Sequence, residues 1–164
     1  MKRLIIYDVP IGHIEQYTND DDILVNASDI HRYCIGCFGC WLKTPGKCII
    51  KDGFGDMGKL LSQVEEFILI SKATFGSYSS AVKNVLDRSI SYVLPFFEIR
   101  NGEMHHGERY QNALTISALF YGHMTENEKR TAQNLVKANA VNLNAALGKV
   151  HFVEGMEDVR EVLV

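Results

Sequence analysis

The sequence predicts an α/β fold in which helices cover both faces of a parallel sheet. Two observations support this prediction: short apolar runs typical of buried strands recur along the chain, and helical patterns separate them. Strands separated in this way favour parallel pairing. The 164 residues contain no linker, repeat or low-complexity tract, so residues 1–164 are predicted to form one domain. The five predicted strands are Arg3 to Val9, Ile23 to Ser28, Phe67 to Thr74, Ala113 to Tyr121 and Lys149 to Glu154.

Four helical patterns lie between or after these strands. The third opens with the letters TENE, which are typical of a capping box. The predicted helices are Asp56 to Glu66, Ser79 to Val93, Thr125 to Ala146 and a short last helix from Glu157 to Val164.

The first crossover is unusually short. Only residues 10–22 separate the first two strands, and a parallel crossover needs about 10 to 12 residues. We therefore expect a truncated connection with about one helical turn around His13 to Tyr17. The run Asp20, Asp21 and Asp22 is interpreted as a solvated turn.

Composition excludes several classes of protein. The net charge is -3 and no basic run stands out, which argues against a nucleic-acid surface. The apolar run near the start meets Asp8 after about six residues, too few for a signal peptide. No segment approaches the ~20 apolar residues of a membrane span. We expect a cytoplasmic protein with reduced thiols and no membrane partner. No motif indicates hydrolytic chemistry.

The stretch TFGSYSS follows the third predicted strand and opens a helix. Ligands of open α/β sheets bind beyond the carboxyl ends of the strands, which is where this stretch falls. Gly76 permits a tight turn, the serines offer hydrogen-bond donors, and the helix N-terminus attracts negative charge. Phe75 and Tyr78 are placed to flank a flat ring. The alternative interpretation is an ordinary serine-capped helix start.

Several motifs together resemble one known family. The order C-x2-C-x2-C, then GKCIIKD, then an apolar strand and TFGSYSSAVKNVLDR looks like the flavodoxin-like family of NADPH-dependent FMN reductases. The closest branch is the one that includes iron-sulfur flavoproteins. The resemblance covers about residues 23 to 155. It implies a flavodoxin-like three-layer sandwich with a five-stranded parallel sheet in the order 2-1-3-4-5.

The resemblance also implies a cofactor and partners. It indicates FMN, hydride supply from NAD(P)H, a small-molecule or protein electron acceptor, and a homodimer or tetramer. The function implied is an FMN-dependent NAD(P)H oxidoreductase or a flavin-based electron-transfer protein. The residues implied to contact the flavin are Thr74, Phe75, Gly76, Ser77, Tyr78, Ser79, Tyr121, Gly122 and His123.

One segment departs from the family pattern. Family members usually bind the FMN phosphate with a loop rich in Gly, Ser, Thr and Arg after the first strand. This chain instead has DVPIGHIEQYTNDDD, in which Pro10 lacks an amide hydrogen and no Ser or Thr precedes Thr18. The departure favours an alternative function, a non-catalytic relative with a degenerate phosphate site that acts as a binding or electron-carrier module.

All four cysteines lie in one loop, with the spacing C-x2-C-x2-C-x7-C. Three closely spaced thiolates resemble the run that holds a cubane in bacterial ferredoxins, so Cys34, Cys37, Cys40 and Cys48 are predicted ligands of a [4Fe-4S] cluster beside the flavin edge. Alternatives are reduced thiols that pack the loop around Trp41 and, less naturally, zinc.

A long, partly apolar stretch, YVLPFFEIRNGEMHHGERY, begins where the predicted helix Ser79 to Val93 ends. We interpret it as a subunit contact or a flap over the ligand cleft. His105 and His106 are interpreted as surface or interface residues.

Overall fold

A five-stranded parallel sheet and a separate antiparallel hairpin form the framework of the computed structural model, which describes residues 1–164. In chain order the strands are β1 (Arg3–Tyr7), β2 (Ile23–Asn26), β3 (Glu66–Lys72), β4 (Val93–Arg100), β5 (Glu103–Glu108), β6 (Thr115–Tyr121) and β7 (Ala146–Val153). The sheet runs β2-β1-β3-β6-β7 and all its neighbours are parallel. This is the predicted order once the hairpin β4-β5 is set aside, and the flavodoxin-like α/β fold is confirmed.

The two faces of the sheet are covered unequally. The α-helices are α1 (Gly39–Leu42), α2 (Met57–Leu61), α3 (Ser80–Arg88) and α4 (Glu126–Asn142). The larger buried cluster packs residues of α2, α3 and α4 against one face. The smaller cluster lies on the other face under short 3-10 segments at 11–13, 15–17 and 156–162. No helix combines the length and the apolar character needed to cross a bilayer.

The predicted helices are shorter than expected, and one is of another type. The pattern over 56–66 yields only α2, and the pattern over 79–93 yields α3 followed by a 3-10 turn at 90–92. The Ser89 hydroxyl donates to the Val85 carbonyl at the point where α3 ends. The predicted last helix is 3-10. The capping box of α4 is confirmed, with Thr125 and Glu128 bonded reciprocally.

A buried ion pair stabilises the sheet face that the 3-10 segments cover. It also corrects one expectation. Arg3 pairs with Asp22 at 2.5 Å and also donates to the carbonyls of Tyr17 and Leu163. One side chain therefore joins β1, the first crossover and the C-terminal segment. The Asp22 side chain is 0% exposed, so it is not part of a solvated turn. Sequence gave no sign of this because its partner lies nineteen positions away.

The hairpin β4-β5 occupies the stretch that we interpreted as a subunit contact or flap. Asn101 and Gly102 connect the strands with φ of 51° and 84°, as in a two-residue turn of type I′. The strand face that carries Phe97, Ile99 and Met104 is mostly exposed.

Candidate functional site

The carboxyl ends of three strands meet around Asp8. Asp8 directly follows β1, and its carboxylate accepts the backbone N–H of Lys72, the last residue of β3, at 3.0 and 3.2 Å. The hydroxyl of Tyr121, the last residue of β6, lies 3.5 Å from the Asp8 carbonyl oxygen. The strand order reverses between β1 and β3, so this group stands at the topological switch point where open α/β sheets bind ligands. We call it the switch-point site.

The carboxyl group of this site is desolvated. Burial raises the pKa of Asp8, while hydrogen bonds from Ser79, Lys72 and Tyr121 act in the opposite direction. Burial also raises the pKa of Tyr121, and the nearby Asp8 charge adds to the effect. Tyr121 therefore stays protonated and can donate a hydrogen bond here.

The predicted TFGSYSS turn is a strained, closed turn at the edge of the site. Thr74 and Ser77 exchange two backbone hydrogen bonds of 3.0 and 2.9 Å, and both Phe75 and Gly76 between them have positive φ. A bulky residue at positive φ is an outlier, and such strain is often found at ligand sites. The Phe75 side chain is 91% exposed. The Phe75 ring is thus exposed to solvent at the carboxyl end of the sheet.

Behind the turn, the chain is fastened to β3 and to α4. Ser71 accepts the N–H of Ser79 at 2.8 Å, and Ser79 caps α3. A Cβ atom added to Gly76 would lie 3.0 Å from the Thr131 Cβ and 3.1 Å from the Glu128 carbonyl oxygen. Gly76 therefore permits close packing on α4, a role that the sequence did not indicate.

Tyr78 corrects the interpretation that it flanks a flat ring. It is only 3% exposed, stacks on Phe120 and bonds to Asn139. It belongs to the core because residue 78 points inward as the chain enters α3. The remaining predicted positions are more open: Gly122 has φ of 104° and bonds to Val153, and the His123 ring is exposed 3.9 Å from Glu154.

The segment after β1 does not fit a phosphate group. Pro10 precedes a 3-10 turn, and the N–H groups of His13 and Ile14 are bonded to the carbonyls of Pro10 and Ile11. No α-helix follows β1, although an N-terminal helix end is the usual phosphate donor set. The flavin ring and the phosphate must therefore be considered separately.

The four cysteines line one cavity of about 430 Å³, which we call the cysteine cavity. Trp41 and Arg88 are also in its wall, and most of the remaining lining is apolar. All four cysteines are free thiols. No group of three or more His, Cys, Asp or Glu side chains is arranged to hold one metal ion.

The cysteine cavity lies at the far end of α3 from the switch-point site. Its wall includes Leu86, Arg88 and Leu143, whereas Ser79 caps the opposite end of α3. The eight steps from Ser80 to Arg88 correspond to roughly 12 Å at the usual helical rise. The loop leaves β2 and then runs along α3, so the cysteines do not lie at the switch-point site. Their position beside the flavin edge stays a prediction.

Buried polar groups fix the base of this loop. Asn84 accepts the Cys34 N–H at 3.1 Å, and Arg88 pairs with Asp52 while donating to the Arg32 carbonyl. The Arg88 Nε–H is buried without a hydrogen-bond partner. Burial lowers the pKa of Arg88, but hydrogen bonds to Asp52 and Cys48 outweigh it and raise the pKa.

The thiols influence one another. Burial raises the pKa of Cys40, and the neighbouring charges of Cys48, Cys34 and Cys37 raise it further. Close thiolates repel, so a cation or positively charged iron among them would lower the free energy of the ionised form.

A row of rings connects the cysteine loop to the hairpin. Phe38 stacks on Trp41 at 5.6 Å, Trp41 contacts His106 at 4.8 Å, and His106 contacts Phe97 at 4.7 Å. His106 is thus an internal contact between the two segments. The interpretation as a surface or interface residue remains a prediction for His105 alone.

Sequence reasoning missed two members of these sites. Asp8 was noted as the residue that ends the first apolar run, and its carboxylate was not recognised as the centre of the switch-point site. An acidic residue directly after a buried strand is the signal that indicates it. Arg88 was not singled out from the sequence as a site residue, yet it is 1% exposed, and no local pattern reveals its partner Asp52.

The strand order and the covered sheet faces define a flavodoxin-like fold. No family model matches the chain, and no curated protein matches its sequence. Solved structures are similar in fold: an FMN-dependent NADH-azoreductase from Bacillus anthracis in complex with FMN has 12% identity and a TM-score of 0.55, with 99% of this chain and 92% of that chain covered.

Two further structures show the same similarity. General stress protein 14 from Treponema denticola in complex with FMN has 12% identity and a TM-score of 0.56, covering 99% of this chain and 91% of that one. A flavodoxin, WrbA-like protein from Agrobacterium tumefaciens has 10% identity and a TM-score of 0.52, covering 99% and 88%. At this identity the similarity shows a shared fold, in agreement with the resemblance to FMN reductases.

Proposed function

We propose that this chain is a flavin-dependent NAD(P)H oxidoreductase or flavin-based electron-transfer protein. The observation that carries the proposal is the convergence of β1, β3 and β6 on Asp8, at the point where this strand order binds FMN in other proteins. Structures of similar fold that contain FMN support it. A bound flavin would accept hydride and pass electrons to an acceptor.

The chain's own part is to bind and orient the isoalloxazine ring, which we propose lies between the turn at 74–79 and the segment 121–123. Phe75 offers an exposed aromatic face. The N-terminus of α3 favours negative charge. The Tyr121 ring lies at the same end of the sheet, where its protonated hydroxyl donates to Asp8.

A flavin fluorescence titration of the wild-type protein and of Phe75→Ala tests this placement. Because aromatic stacking contributes about 0.5–1.5 kcal/mol, loss of the ring should weaken binding by about twofold to twelvefold. Phe96→Ala is the matched control, since Phe96 is also highly exposed but lies in the hairpin. Equal affinities for all three proteins would place the ring elsewhere.

The second candidate is a non-catalytic binding or electron-carrier module. The phosphate misfit after β1 favours it. The two candidates differ in turnover: an oxidoreductase consumes NADH or NADPH with a supplied acceptor, whereas the second candidate shows no flavin-dependent consumption above free flavin.

We also propose that the cysteine cavity holds a [4Fe-4S] cluster, which would supply one-electron transfer. The residues fit the group in number and chemistry, because four free thiols line one cavity. Each thiolate of a cubane binds a different iron, so the ligands need not converge on one point as they do for zinc. The unpartnered Nε–H of Arg88 offers a donor to a cluster that is anionic with its thiolates. The four thiols would need a reducing compartment such as the cytoplasm.

Anaerobic reconstitution tests the cluster. We expect about four irons and four sulfides per chain, and Cys37→Ser should lose most of that iron while any flavin stays bound. Ser28→Ala, an exposed substitution outside the loop, is the control. Folded protein that takes up no iron would reduce the thiols to packing residues.

Finally, we propose a homodimer or tetramer that uses the hairpin. Its exposed apolar side chains form an area typical of protein contacts.

A further inference from the structure

The switch-point site already contains an anion that belongs to the chain. The Asp8 carboxylate accepts the backbone N–H of Lys72 at the end of β3. Burial raises the pKa of Asp8, and hydrogen bonding from Ser79 at the start of α3 acts against that rise. Donors of this kind, at strand ends and helix N-termini, are those that bind the phosphate of a nucleotide or flavin in open α/β folds. Of these donors, the Lys72 N–H at the end of β3 is bonded to Asp8 and is not free for a ligand.

The charge of Asp8 is not neutralised by a cation. Its partners are the Lys72 N–H, Ser79 and Tyr121, all of them neutral donors. None of the chain's ion pairs includes Asp8. A dianion brought beside this carboxylate meets repulsion that partial burial strengthens, because the local dielectric is lower than that of water.

The segment after β1 offers no replacement set of donors. Pro10 has no N–H, the next turn uses its amides internally, and no helix begins there. The negative charge of Asp8 and the lack of free N–H donors after β1 therefore both disfavour a phosphate group at this site.

We infer that Asp8 is a specificity-determining residue that fills the anion position of the switch-point site, so the site takes a flavin without phosphate, of the riboflavin class, in preference to FMN. This inference rests on the proposed flavin site. Asp8 acts by excluding a charged group, while the neutral isoalloxazine ring binds at the turn and at Tyr121.

Fluorescence titrations with riboflavin and FMN test the inference. We expect wild-type protein to bind riboflavin at least as tightly as FMN. In Asp8→Asn, which is isosteric and neutral, FMN affinity should rise tenfold or more while riboflavin affinity changes less than threefold. Asp21→Asn removes the same charge at an exposed position and should alter neither affinity.

A wild-type measurement keeps the test decisive if Asp8→Asn does not fold. Inorganic phosphate at roughly 0.05 M is well above the millimolar Kd of a weak anion site. At constant ionic strength, this concentration should leave riboflavin binding to the wild-type protein unchanged. FMN binding more than tenfold tighter than riboflavin, or an equal change of both affinities in Asp8→Asn, would overturn the inference and leave the flavin site standing. Absence of binding for both flavins would instead reject the proposed function together with the inference.

Discussion

Two buried arginines connect segments that have little regular structure of their own. Arg3 joins the first crossover to the C-terminal segment, and Arg88 joins the start of the cysteine loop to Asp52. Each guanidinium supplies several donors in a fixed plane, so one side chain satisfies carbonyls from distant parts of the chain. Irregular loops are thereby held by single residues.

Asp22→Asn should destabilise the protein strongly. It leaves the Arg3 charge buried without a carboxylate, and breaking such a pair typically costs about 3–5 kcal/mol. Urea unfolding followed by circular dichroism measures the change. Asp20→Asn, in the same acidic run but exposed, should stay within about 0.5 kcal/mol of wild type. Similar effects for both variants would mean that the ion pair does not fasten the crossover.

For the strands and helices, the sequence predicted those features that a local pattern of residues determines. Parallel pairing followed from the alternation of strands and helices, whereas the order of the sheet came from the family resemblance. The strands β1 and β3 were placed correctly because continuous apolar runs are buried on both faces. The Thr125 capping box followed from its letters. The lengths of α2 and α3 did not, because they depend on where the chain must turn to reach the next packed element.

The hairpin was missed although its signal is present. Asn101-Gly102 between alternating residues is a strong local hairpin pattern, but the stretch was interpreted only as a contact or flap. In the candidate site, too, local features could be predicted and tertiary contacts could not. The turn at 74–77 is a local feature, whereas the burial of Tyr78 and the pairing of Arg88 with Asp52 depend on tertiary packing.

Two glycines in turns should respond differently to alanine. Gly102 has φ of 84° and open space around its Cβ position, so Gly102→Ala should cost roughly 1 kcal/mol from backbone strain alone. Gly76 has φ of 75° and also meets Thr131 and the Glu128 carbonyl, so Gly76→Ala should cost more. Urea midpoints measure both, and an equal loss would show that packing on α4 contributes nothing.

Considered as a whole, the molecule should lose stability in acid. The hydrogen bond from Arg88 lowers the pKa of Asp52. Burial raises the pKa of Asp22, but the hydrogen bond from Arg3 outweighs burial, so the pKa of Asp22 is also lowered. Their contributions are present above the unfolded pKa, near 3.8, and are lost as pH falls through the lower folded values. Asp8 has a raised pKa, so its contribution has the opposite sign and is lost as pH rises through that value.

Urea midpoints between pH 7 and pH 2.5 should therefore fall most below about pH 4. In Asp22→Asn part of that fall should disappear, since the titrating group is gone. A fall of the same size in the variant and in wild type would assign the acid sensitivity to other carboxyl groups.

The hairpin makes a prediction about assembly. Phe97 and Ile99 are 64% and 67% exposed on one strand face. If this face forms the proposed contact, Phe97→Asp with Ile99→Asp should convert a dimer or tetramer to monomer in sedimentation velocity. Ile11→Asp, an exposed apolar position in the first crossover, should leave the sedimentation coefficient unchanged. A monomeric wild-type protein would contradict the proposal directly.

The row of rings beside the cysteine cavity has an optical consequence. Trp41 is the sole tryptophan of the chain, and it lies between Phe38 and His106 in the cavity wall. Its emission therefore comes from one place, the junction of the cysteine loop and the hairpin. Iron loading at the thiols and movement of the hairpin would each change that emission, so the protein carries an intrinsic reporter for this junction.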